Sequence, residues 1–132
     1  MPTRPCRILT VAIERDARDV YAFASQPKNL PRWAAGLGSG VTRDGDDWLV
    51  DAPQGRLRMR FAPRNDYGVI DHTVILPDGS EVDVPVRILP NASGAEVIFA
   101  LFRQPGMSDA DFERDATAVA GDLATLKRLL EA

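Results

Sequence analysis

The stretch SDADFERDATAVAGDLATLKRLLEA, residues 108–132, decides how the rest of the chain has to be read. Phe112, Ala116, Val119, Ala120, Leu123, Leu126 and Leu130 recur at helical spacing and predict one apolar stripe along a long amphipathic helix. Ser108 stands three residues before Asp111, a capping-box-like start for that helix. Gly121 in its middle costs about 1 kcal/mol relative to alanine, which points to a close backbone approach or a cavity wall there. A helix of this length with one apolar face needs a broad apolar surface to lie on.

Residues 41–103 supply that surface, because short runs of strand-forming residues alternate there with turn signals. Turns are expected at 44–47, 52–55, 62–67, 77–80 and 90–94. Strands are expected near 47–52, 56–61, 68–76, 81–89 and 95–103, with 41–43 as an additional one. Asp78-Gly79 is the best short hairpin signal. Upstream, CRILTVAI at 6–13 reads as the first strand. Asp16 then caps a short helix with Val20, Phe23 and Ala24 on one face, and Pro27 stops it. Asn29 is the expected cap of a second short helix through Leu30, Arg32 and Trp33, after which Gly36, Gly38 and Gly40 break the chain. The order is strand, two short helices, about six antiparallel strands and one long helix, an α+β chain in a single domain over 1–132.

Composition narrows the function classes. A chain of 132 residues, 45% apolar and 27% charged, is one ordinary globular domain. Sixteen basic against nineteen acidic residues give a net charge of -3, which excludes the footprint of a general nucleic-acid binder. Cys6 is the only cysteine and His72 the only histidine, so neither an intrachain disulfide nor a zinc site can be assembled. Asp44, Asp46 and Asp47 around Gly45 lack the spacing of a calcium loop and read as a hairpin turn. No metal and no cofactor are expected. The first residues resemble neither a signal peptide nor a membrane span, so a cytoplasmic location without a membrane span is expected.

Three strings carry a family resemblance: AIERDARDVYAFASQPKNLPRWAAGL from Ala12 to Leu37, YGVIDHTVILPDG, and LFRQPGMSDADFERDATAVAGDLATLKRLLEA. Together with the element order, the chain resembles the START-like superfamily, also called SRPBCC, over nearly its whole length. The resemblance implies a helix-grip fold, a curved antiparallel sheet of about six or seven strands wrapped around the C-terminal helix with a cavity between them. Relatives of that group include lipid carriers, plant allergen proteins, aromatase/cyclases and chaperone co-activators, and many carry a polyketide cyclase or dehydrase label. One scaffold hosting so many activities implies a site more than a reaction.

Alternation indicates which side chains line that cavity. Leu57, Met59 and Phe61 alternate with Arg56, Arg58 and Arg60, and Val82, Val84, Val86 and Ile88 alternate with Glu81, Asp83, Pro85 and Arg87. The apolar set should face the long helix, and the arginines should face water, laddered with Asp71 and Asp83. His72 shares the phase of Ile70, Val74 and Leu76 and so points inward. There it either contacts a ligand, and is the only candidate for acid/base work, or is satisfied by a backbone carbonyl or water. Trp33 falls where the superfamily places a tryptophan beside the cavity mouth, as gate or as core packing. Trp48, Met59, Phe61, Val74, Val84, Phe99 or Phe102, Phe112, Val119 and Leu123 are the wall candidates, and Arg103 is the rim candidate unless it pairs with Asp109 or Asp111. These residues fit a hydrophobic or aromatic small molecule. The function expected first is binding of such a molecule for carriage or presentation. A cyclase- or dehydratase-like enzyme in the same cavity comes second, and a protein-interaction module third. A sheet edge could also support a homodimer.

Overall fold

The computed structural model describes residues 2–37 and 40–132. The expected break at Gly38 lies outside them. Strand β1 (Cys6–Ile13) leads into helix α1 (Ala17–Ala24), a 3-10 turn at Pro27–Asn29, helix α2 (Leu30–Trp33) and a second 3-10 turn at Ala35–Leu37. Seven strands follow: β2 (Val41–Asp44), β3 (Asp47–Ala52), β4 (Gly55–Phe61), β5 (His72–Ile75), β6 (Glu81–Val84), β7 (Val86–Asn91) and β8 (Gly94–Phe102). Helix α3 (Asp109–Glu131) closes the chain.

The caps explain where the helices begin. Asp16 accepts the Arg18 N–H at 2.8 Å, and Ser108 Oγ accepts the Asp111 N–H at 3.0 Å, each satisfying a donor the first turn leaves free. Asn29, expected to cap α2, makes no such bond; its Nδ2 instead donates to Phe23 O at 3.0 Å, closing the end of α1.

The strands form two antiparallel sheets, β1-β8-β7 and β2-β3-β4-β5-β6, where one curved sheet of six or seven strands was expected. Pro85 is the physical cause. It has no N–H to give a ladder, so the run expected at 81–89 divides into β6 and β7, one in each sheet. The alternation survives the break, since Val86 and Ile88 are buried. The run expected at 68–76 divides likewise. Its first half bonds to β7, through Ile70 N–H to Val86 O and Ile88 N–H to Gly68 O, both at 2.8 Å. Its second half is β5, paired with β4 and β6. The two sheets are therefore joined by a short piece of ladder around the Val69–Arg87 bridge.

Two apolar clusters fill the interior. Ile13, Val20, Tyr21, Ile70, Val86, Ile88 and Val97 pack with Leu123, Leu126 and Leu130 of α3. Val50, Leu57 and Met59 pack with Leu30 and Ala34, on and just after α2. The apolar face of β4 was expected against the long helix; Leu57 and Met59 are covered instead by the short one, while Phe61 also packs on the cluster that includes α3. Ala120, expected on the buried stripe, is exposed, and Gly121 is exposed with nothing within 4 Å of where a Cβ would stand. Gly121 therefore marks neither a close approach nor a wall.

Candidate functional site

Register places six of the candidates on one face of the five-stranded sheet. Trp48 pairs with Met59, Met59 with Val74, Phe61 with His72, and His72 with Val84, and paired residues project to the same side. In the other sheet Leu9 pairs with Phe99 and Phe99 with Val86. Phe99 packs on the first cluster, so Phe102, three residues along the same strand, lies on the opposite face.

Among the described residues, Trp33 and Phe61 are the two that pack on both clusters. Val84, Phe99, Val119 and Leu123 belong to the first, and Met59 and Val74 to the second. Phe112 is buried near the start of α3, outside both. The indole Nε1 of Trp33 is buried and finds no hydrogen-bond partner among the described residues. An N–H removed from water without an acceptor costs on the order of 1–3 kcal/mol, and among the described residues no other buried side-chain nitrogen or oxygen is left so.

His72 lies against Phe61 with ring centroids 4.9 Å apart and planes tilted by 35°, and its Nδ1 lies 3.0 Å from Ile70 O. The carbonyl can only accept, so Nδ1 carries the proton and Nε2 keeps its lone pair. Burial pushes the imidazole pKa down, against the weaker opposing pull of the Ile70 carbonyl and Asp71, and the neutral ring is the form that persists. His72 also lines a cleft of about 320 Å³ shared with Arg60, Asp71, Asp83 and Pro85. Arg103 stands at another cleft, of about 480 Å³, beside Thr3, Arg4 and Pro5. Its Nε and Nη2 donate to Met107 O at 2.9 and 2.7 Å, and its Nη1 pairs with Asp109. His72 and Arg103 thus line different clefts.

The arginine ladder of β4 has other partners than expected. Asp47 accepts from Arg58 at 3.2 Å and from Arg60 at 3.0 and 3.1 Å, and Arg58 also donates to Asp44 at 2.8 Å. The two guanidiniums hold the Asp47 carboxyl below the usual carboxylate range. Asp71 instead pairs with Arg87, and Asp83 accepts the Thr73 hydroxyl. The β2–β3 hairpin folds its acids over β4, whereas β5 offers Thr73 and Ile75 on that side.

Asp122 is a residue near the site that sequence patterning misses. It sits on α3 beside Leu123 and accepts the Ala35 N–H at 3.1 Å, tying the long helix to the segment that carries Trp33. Burial pushes its carboxyl pKa up. Nothing in the spacing of an acid next to an apolar stripe signals that bond.

No family model matches the chain, and no curated protein matches it. Solved structures do. The protein Ara h 8.0201 superposes with a TM-score of 0.70 at 9% identity, over 96% of this chain and 97% of that one. The Aha1 dimer from Colwellia psychrerythraea gives 0.74 at 14% identity, covering 96% of each chain. The di-domain ARO/CYC protein BexL, from the BE-7585A biosynthetic pathway, gives 0.70 at 18% identity, over 94% of this chain and 45% of that longer one. The fold is the helix-grip α+β fold that these solved structures share. At these identities the likeness establishes the fold, and the activity has to be argued from the site. No helix among the described residues is long and apolar enough to cross a membrane.

Proposed function

We propose that this protein binds a hydrophobic or amphipathic small molecule at the seam between its two apolar clusters, under α3 and beside α2. The observation that carries this reading is the buried, unpartnered Nε1 of Trp33 at that seam. A ligand oxygen there would supply the missing acceptor, while Met59, Phe61, Val74, Val84, Phe99, Val119 and Leu123 would take its apolar body, with Trp48 and Phe112, outside both clusters, proposed only as more distant walls. His72, neutral and packed against Phe61, offers the Nε2 lone pair to a donor on the same ligand. Arg103 is proposed only as a rim residue, given its bonds to Met107 and Asp109. The same lone pair favours a second reading, a cyclase- or dehydratase-like enzyme in which His72 acts as general base. Assembly as a homodimer through the free edge of β1 is supported by that edge and by the dimer its structural neighbour Aha1 forms; sedimentation across a concentration series tests it.

Tryptophan fluorescence tests the binding reading. Titration with fatty acids and flavonoid-like aromatics should give saturable quenching in the wild type. Trp33→Phe, which keeps Trp48 as a reference emitter, should remove most of that signal, and His72→Ala should weaken affinity. Wild type that responds to no compound in the panel sinks the reading, and turnover of the best binder would move it to the enzyme.

A further inference from the structure

We infer a second, separate site on the outside of the molecule: the groove between α1, the 64–68 loop and β7 binds a planar aromatic carboxylate. The groove has a volume of about 660 Å³ and is lined by Ala17, Arg18, Tyr21, Arg64 to Gly68, Ile88 and Pro90. That volume lies within the range of roughly 300–1,000 Å³ usual for small-molecule sites.

Its charges form no ion pair among the described residues. Among the described residues eight arginines, Arg7, Arg15, Arg56, Arg58, Arg60, Arg87, Arg103 and Arg114, form ion pairs with carboxylates. Arg4, Arg18, Arg32, Arg43, Arg64 and Arg128 form none, and of these six Arg18 and Arg64 line this one groove. Arg64 lies over the ring of Tyr21, its guanidinium carbon 5.5 Å from the centroid, which holds it at the groove. Asp66 lines the same groove, so two guanidiniums and one carboxylate leave a surplus of one positive charge. A monoanion matches that surplus better than a dianion, and a carboxylate matches guanidinium donors in shape.

The aromatic half of the ligand follows from Tyr67. It is 82% exposed, the most exposed large hydrophobic side chain among the described residues, and it lines the groove beside Ile88 and Pro90. The fold uses its backbone and not its ring. Asn65 Oδ1 accepts from Tyr67 N–H at 2.9 Å and from Val69 N–H at 3.1 Å, and Asn65 Nδ2 donates to Pro63 O and Val69 O, both at 2.9 Å. Tyr21 Oη accepts the Asn65 N–H at 3.0 Å, anchoring the loop to α1. The loop is ordered before any ligand arrives, so the entropy of shaping the groove is not charged to binding.

Two-dimensional NMR with 2-naphthoate as probe tests the assignment. Saturable amide shifts are expected at Arg18 and at Arg64 to Gly68, with no change on Trp33→Phe. Arg18→Ala and Arg64→Ala should each weaken binding by about tenfold, Tyr67→Ala by several-fold, and the neutral 2-naphthamide should bind about tenfold more weakly than the carboxylate. Arg18 and Tyr67 are exposed, so those two variants keep the test sound should Arg64→Ala fail to fold. The inference is overturned if naphthoate shifts nothing at millimolar concentration, if its shifts map to Trp33 and His72 instead, or if Arg18→Ala and Tyr67→Ala bind like wild type. Tighter binding of naphthyl phosphate than of naphthoate would overturn the carboxylate assignment.

Discussion

Gly121 stands on the solvent side of α3, where an added methyl group meets nothing within 4 Å. Gly121→Ala should therefore raise stability by about 1 kcal/mol, read as a higher denaturation midpoint with an unchanged denaturant slope. His72 makes the protein sensitive to mild acid. Burial holds the folded imidazole below its ordinary value of 6.5, so near that pH the unfolded chain takes up a proton that the folded chain refuses. The stability this contributes is present above 6.5 and is lost as pH falls from there toward the folded pKa. His72→Gln should remove that loss, so melting curves of the two proteins should diverge as pH is lowered from 7 toward 5.5. Asp122 acts in the opposite direction, since burial raises its pKa, and it is common to both proteins, so the comparison isolates His72.

At the scale of elements, the decisive joint is where the two sheets meet. Gly68 adopts φ +73, and a Cβ there would stand 2.1 Å from the Ile88 carbonyl oxygen. Gly68→Ala should cost at least about 2 kcal/mol from backbone strain and the forced retreat of β7, measured by chemical denaturation. Pro85 performs the complementary task from the other side. Its carbonyl accepts the Ala100 N–H at 3.0 Å, so the residue that breaks the ladder still ties the junction to β8. Alternation runs on through Pro85, so 81–89 reads in sequence as one strand. That the chain on either side belongs to different sheets depends on which strand lies next to it.

Across the whole molecule, the two clusters should fold as one unit, since Trp33 and Phe61 belong to the packing of both. Leu126 is fully buried in the first cluster and Met59 is 2% exposed in the second. Leu126→Ala and Met59→Ala should each cost roughly 2–5 kcal/mol and leave a single transition seen alike by far-ultraviolet dichroism and tryptophan emission. Two separated transitions would show that the clusters are independent.

Local pattern sufficed for the start and the apolar face of α3, because a cap and a 3.6-residue stripe are properties of a few neighbouring residues. It sufficed also for the inward phase of β4 and of 82–88, since strand alternation needs no partner. The partners of the charged face, Asp44 and Asp47 in place of Asp71 and Asp83, depended on which hairpin folds beside β4. The cover over Leu57 and Met59 was α2 rather than α3, because a four-residue helix carrying Leu30 reached that face of the sheet. The orphaned indole of Trp33, the bond from Ala35 to Asp122, and the groove walled by Arg18 and Arg64 all join residues far apart in the chain. Spacing along a sequence carries no information about such meetings, which exist only once the chain has packed.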